Sequence, residues 1–267
     1  MKRKWAISLL LIRRDMQMRI LFYRFSFYLV LIASIGMLAG CATAPPQIAK
    51  PTPNFSWEPP SKENPQNLTI ALVRPFFGSD ARFMSYSKNP YLKTFLDSIL
   101  TDLQRTLMAK GFNVTGPFES FDVMTFPNKK DAALALMPEF VLVIDEKYTD
   151  SFRNESGSYF RMKGSIIMNG FIKFTMIEPI SEQKIWIKKI NVPEQTGYLE
   201  VDLMYKDLQK GVLNPFNANK DNREATLVDM LNRIYPESME KFWSYLNTEE
   251  IEMMRKASLD ARARKGY

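Results

Sequence analysis

The residue whose surroundings speak most directly of chemistry is Cys41, the only cysteine among 267 residues, set in SIGMLAGCATAPP between an apolar run and a proline-rich stretch. A cysteine used as a small core hydrophobe does not belong between those two contexts. Other reactive types are sparse. The chain has no histidine and no cysteine pair, which removes the usual zinc, haem and iron–sulfur ligand sets together with Ser-His-Asp and Cys-His catalysis. Asp145 and Glu146 adjoin at what reads as a strand end; successive strand side chains point to opposite faces, so the pair cannot flank one bond and reads as a solvated end. No GxxxxGK[ST] or GxGxxG phosphate loop occurs. The expectation is a protein that is no enzyme and carries neither cofactor nor metal.

Stepping upstream, FSFYLVLIASIGMLA (25–39) is an apolar run of fifteen behind Arg19 and Arg24. Basic, apolar, then small residues is the order of a signal peptide; the run is short against the roughly 20 residues that span a bilayer. Leu38, Ala39 and Gly40 before Cys41 resemble the bacterial lipobox, in which a dedicated peptidase cuts before a cysteine already carrying diacylglycerol. A further acyl chain, palmitate for example, on the new amino terminus supplies the second chain that lasting attachment requires. The competing reading is an uncleaved anchor with an incidental cysteine. MKRKWAISLLLIRRD is a second basic and apolar block, longer than a signal needs, so translation starting at Met16 or Met18 stays open. Ala42 stands where an aspartate retains many lipoproteins at the inner membrane, which favours export to the outer one.

The formal charge of +7 does not point to nucleic acid. Lys2, Arg3, Lys4, Arg13, Arg14, Arg19 and Arg24 face Asp15 alone within residues 1–40, leaving the remainder nearly neutral.

Residues 42–66 hold seven prolines and no glycine and read as an extended tether, on which Phe55 and Trp57 are expected to dock against the domain. LTIALV is a buried strand over Leu68–Val73. From Pro90, Leu92, Phe95, Leu96, Ile99, Leu103 and Leu107 recur at helical spacing up to a stop at Gly111. FNVTGPF follows as a strand, so the order suggests a βαβ crossover. EFVLVIDEKYT is a central strand. SFRNESGSYFRMKG lacks periodicity and reads as the loop of a long hairpin or a frayed strand end. SIIMNGFIKFTMIEP and KIWIKKINV alternate around the turn PISEQ. The chain is helical again from Asn222, with Pro236 expected to kink or split the helix, and Asn247-Thr248 caps a short charged terminal helix. The methionines of these helices read as core filler, and Phe76, Phe77, Tyr86 and Tyr91 as a lid over the sheet.

The expected organisation is signal peptide 1–40, lipidated cysteine and tether 41–66, one α/β domain 67–246 and a charged helical tail 247–267. Its sheet is mixed and largely antiparallel, with a βα(β) start, a long hairpin and C-terminal helices packed on it.

Two blocks, IALVRPFFGSD (70–80) and GFIKFTMIEPISEQ (170–183), with LQRTLMAKGFNV between them, resemble the neuraminyllactose-binding haemagglutinin, or adhesin A, lipoproteins of Helicobacter. The order βα, β, hairpin, helix also looks like small envelope domains such as the TolB amino-terminal domain, an analogy of fold alone. The haemagglutinin resemblance implies an outer-membrane, surface or flagellar-sheath lipoprotein that binds sialylated host glycans through a lysine- and arginine-rich stretch before the hairpin. The corresponding stretch here, EKYTDSFRNESGSYFRMKG, offers Lys147, Arg153, Arg161 and Lys163 spread among Asp150 and Glu155, without a dense basic cluster. A guanidinium or ammonium group is the natural partner for a sialate carboxylate. The alternative is a structural envelope or flagellar-sheath lipoprotein, a paralogue that shares the scaffold, that binds another protein and no sugar.

Overall fold

In a computed structural model of the chain, residues 50–83, 86, 88–153, 159–204 and 220–266 are described. Cys41, its lipobox and the signal segment lie outside them.

The uninterrupted apolar run TIALV makes β1 (Thr69–Val73), whose buried residues leave no wet face. It runs parallel between β3 (Asn113–Phe118) and β4 (Leu134–Arg153), with β2 (Phe76–Phe77) added beside β4. Parallel neighbours require a crossover, and α1 (Pro90–Ala109) supplies it: Asn89 accepts from the Tyr91 N–H, Pro90 opens the first turn, and Phe95, Ile99, Leu103 and Leu107 turn into the core. A short helix α2 (Phe126–Asp131) leads into β4. β5 (Tyr159–Glu178) and β6 (Gln183–Met204) continue antiparallel, and β7 (Lys220–Asp221) closes the order β3-β1-β4-β5-β6-β7. The fold is thus one α/β domain with a mixed, largely antiparallel sheet.

α1, α3 (Arg223–Tyr245) and α4 (Thr248–Arg264) cover one face of this sheet, where Phe95, Phe140, Phe174, Tyr235 and Phe242 are wholly buried. A smaller cluster of Val73, Phe121, Met124, Ala135 and Ile177 sits on the opposite face near the lower end, the end from which the parallel strands start. The expected aromatic lid is partly formed: Phe77 packs 4.7 Å from Phe83 and 6.4 Å from Phe140, Tyr86 is buried, and Phe76 remains exposed.

Three boundaries differ from the sequence reading. Residues 151–153 and 159–164, read as a hairpin loop or a frayed strand end, are strand, paired from Arg153 with Phe160 to Tyr148 with Gly164; on the β4 side every residue is exposed, so no burial period marks it. Pro236 does not split α3, which runs unbroken from Arg223 to Tyr245. The terminal helix is no tail outside the domain. Its Ile251 and Met254 join the main core, and it lies across the lower end of the sheet through Ser258 Oγ on the Ala133 carbonyl at 2.8 Å and Arg262 Nε on Glu178 at 2.7 Å.

The proline-rich segment from Asn54 to Gln66 lies along α1 and α3. Phe55 stands edge-on to Phe95 at 5.4 Å and stacks on Tyr235 at 5.7 Å. The Trp57 N–H donates to Asp102 at 2.8 Å, and Lys110 Nζ meets Glu63 at 2.6 Å over the ring of Trp243. The expected tether is therefore docked on the domain from Asn54 to Gln66.

Candidate binding site on the hairpin arm

Every β4 residue from Lys147 to Arg153 is exposed. With the start of β5 and the end of β6, they form an arm continuing past Glu146 by about 20 Å at the usual ~3.3 Å per strand residue. A bulge between Tyr148 and Asp150 shifts the parity of β4, and this decides on which face Phe152 and Arg153 lie.

Directly opposed residues share a face. On the face away from the helices, Lys147 lies opposite Ser165 and then Tyr198; Asp150 opposite Lys163 and then Glu200; Phe152 opposite Arg161 and then Asp202. Three of the four nominated cations, Lys147, Lys163 and Arg161, therefore gather on one surface. Arg153 does not join them, because it opposes Phe160 on the helix-bearing face.

The three are not equivalent. Arg161 is held by Asp202 through Nε at 2.8 Å and Nη2 at 3.3 Å, with Glu200 at 3.7 Å, and both carboxylates are largely buried. A two-pronged carboxylate already occupies the guanidinium edge that an anionic ligand would use. Lys147 and Lys163 have no ion pair among the described residues, and they flank the exposed rings of Tyr198 and Phe152.

Asp145 and Glu146 do point to opposite sides. Glu146, on the helix-bearing face, accepts from Tyr86 at 2.8 Å and also from the Tyr148 hydroxyl. Arg223, at the start of α3, grips Asp221 with Nη2 at 2.6 Å close by. Burial first, then the Glu146 charge and hydrogen bond, pushes the Tyr86 phenol well above its ordinary range; burial, then Glu146's hydrogen bond, does the same to Tyr148. Phenols held neutral against a carboxylate make a clamp between β4 and the loop before α1, not a proton-transfer pair. This cluster escapes the sequence because Tyr86 and Arg223 lie far from Glu146 along the chain; only Tyr148, two residues on along the same strand face, is locally visible.

Among the described residues no group of three acidic, cysteine or histidine side chains could hold a metal. No helix among them is long and apolar enough to cross a membrane. A hollow of about 490 Å³ lies between the docked segment and α1, lined by Pro59, Lys62, Arg105 and Met108.

Residues 53–265 match the model of the neuraminyllactose-binding hemagglutinin precursor family. The chain belongs to this family. Its neuraminyllactose-binding hemagglutinin relatives from Helicobacter pylori include one 26% identical over 250 residues, covering 88% of this chain and 92% of the relative. Another, from strain J99, is 24% identical over 237 residues, covering 83% and 88%. A crystal structure of a neuraminyllactose-binding hemagglutinin homolog from Helicobacter pylori superposes with a TM-score of 0.56 at 18% identity, covering 78% of this chain and 98% of that one. The likeness extends the family's hemagglutinin fold to this chain.

The motif GFIKFTMIEPIS that this hemagglutinin-family chain carries has a structural cause. Gly170 adopts φ +142 at the bulge against β6, where a Cβ would stand 2.0 Å from the Val141 carbonyl oxygen. Glu178 accepts from the Ser181 N–H at 2.6 Å and the Ile180 N–H at 3.2 Å, closing the turn into β6.

Proposed function

We propose that this family member is a bacterial envelope lipoprotein, held at the outer membrane by lipid on Cys41, that works by surface contact at its arm and not by catalysis. The observation that carries the reading is the arm itself: an exposed extension of the sheet bearing Lys147, Lys163, Tyr198 and Phe152 on one face. Cys41→Ser tests the anchor. It should leave an unlipidated precursor of higher protein mass, and an unchanged intact mass would overturn it.

For the ligand, the relatives' name supports a sialylated glycan, with Lys147 and Lys163 facing its carboxylate and an exposed ring facing the sugar. Residues 42–267, displayed multivalently on a sialoglycan array, should bind and should lose binding in Lys147→Ala/Lys163→Ala. A blank array removes this reading. The second reading, an envelope or flagellar-sheath protein as partner, is favoured by the alternation of Asp145 and Asp150 with the lysines and by the occupied guanidinium of Arg161. Crosslinking in cells from position 152 should then recover a protein neighbour; lipid alone would count against it.

A further inference from the structure

The docked proline-rich segment has a direction, and the direction sets which end of the domain faces the anchor. Read backwards from Gln66, its contacts climb both helices. Glu63 N–H donates to the Ala109 carbonyl and Trp57 N–H to Asp102, and Phe55 reaches Phe95. On α3 the contacts pass from Trp243 to Tyr235 and then to Asn232, whose Oδ1 accepts from the Asn54 N–H at 2.8 Å. That is a climb of about 21 Å on α1 and about 16 Å on α3 at 1.5 Å per residue. The four residues from 50 to 53 cover about 13 Å if extended, the distance remaining from Asn232 to the start of α3 at Arg223. Arg223 lies beside Glu146, at the root of the arm.

We infer that the arm points toward the bilayer in which the protein is anchored, and that its exposed aromatic and basic residues contact that bilayer's lipid headgroups. The inference rests on lipidation of Cys41. From Cys41 to Lys50 the chain reaches at most about 30 Å. With residues 50–53 continuing in the direction of the docked segment, presenting the lower end instead would require it to run back along α3, about 33 Å, and then clear α4, about 10 Å thick. The arm's own reach of about 20 Å fits within the tether. Its chemistry suits an interface: Tyr148, Phe152 and Tyr198 are 44%, 56% and 55% exposed, rings of the kind that settle at headgroup depth. Lys147, Arg153 and Lys163 project from the same extension, with flexible stems that let their charges meet phosphate. This orientation turns the arm away from a host surface and so competes with the glycan reading.

Because lipid consumes the sole cysteine, Phe152→Cys or Leu259→Cys gives the lipidated full-length protein one free thiol for a fluorophore. Leu259 is an exposed residue of α4 at the opposite end. In vesicles of phosphatidylethanolamine and phosphatidylglycerol carrying a headgroup-level quencher, the label at 152 should be quenched several-fold more than that at 259. Equal quenching, or more at 259, overturns the orientation. Phe55→Ala/Trp57→Ala, which undocks the segment, should bring the two positions close to equality; a difference that survives undocking overturns the segment's role. Protein that does not enter vesicles and lacks the lipid mass refutes the anchor, and the orientation with it.

Discussion

Tyr235 donates its hydroxyl to Asp102 at 2.6 Å inside the seam between α1 and α3. The same carboxylate accepts from the Trp57 N–H at 2.8 Å and from Arg105 at 3.1 Å, so two helices and the proline-rich segment are fastened at one side chain. A hydrogen bond to a buried charge is worth about 1.5–3 kcal/mol. Tyr235→Phe should lower the unfolding free energy in urea by about that amount, and Asp102→Ala should cost more by also releasing Trp57. Burial, then the Asp102 hydrogen bond, raises the phenol above its ordinary 10.0. The unfolded chain therefore gives up this proton first as pH rises, and the stability it contributes is complete below about pH 10 and declines above it. A Tyr235→Phe chain should show a shallower alkaline loss.

Phe55 and Trp57 hold the segment to the helices through rings, so removing them should free it without unfolding the sheet. Phe55→Ala/Trp57→Ala is expected to speed tryptic cleavage after Lys62 by tenfold or so, while β1 to α4 stays resistant. The cost in urea should be about 1–3 kcal/mol for each half-buried ring. An unchanged digestion pattern would refute the docking.

How much of this was legible depended on whether the signal was local. The unbroken apolar run at Ile70–Val73 and the Asn89-Pro90 cap ahead of Leu92, Phe95 and Ile99 carried β1 and α1 directly, because period and cap are read within a few residues. The arm was not legible, since 147–153 bury nothing and alternate nothing; what pairs them is the register set lower down, where Phe140 opposes Ile172. The exclusion of Arg153 was likewise a matter of the bulge at Tyr148/Asp150, and Asp202 lies 41 residues from Arg161. In α4 the inward stripe is Ile251, Met254, Ser258 and Ala261. The spacing is helical, yet two of the four are small, so the charged remainder dominated the reading.

That stripe makes α4 part of the core. Met254 is wholly buried, and large-to-small changes at such sites cost about 2–5 kcal/mol. Met254→Ala should move the urea midpoint accordingly, whereas Leu259→Ala, on the exposed side, should change it by less than about 0.5 kcal/mol. Truncation after Leu246 should yield a chain that binds hydrophobic dye and loses cooperative unfolding. A truncated protein with native midpoint would restore the view of α4 as a tail.

Glu178 ties that helix to the hairpin turn and should make stability acid-sensitive. Its side chain is fully buried; burial alone would raise its pKa, but the Ser181 hydrogen bonds, then Arg262 and the Ile180 N–H, outweigh it and hold the carboxyl below its ordinary 4.5. Glu250 is held low as well, chiefly by Lys188 and against the effect of burial. With folded values depressed, the unfolded chain takes up protons first as pH falls. The contribution is therefore complete above about pH 4.5 and is lost as pH drops through the folded values. Removing one partner of such a buried pair costs about 3–5 kcal/mol, so Glu178→Gln should be destabilised by about that at pH 7. At pH 3, well below the ordinary carboxylate value, the gap should narrow if the charge is what counts. Urea curves at both pH values decide it: a gap that stays constant would mean that Glu178 acts through shape and not through its charge on Arg262.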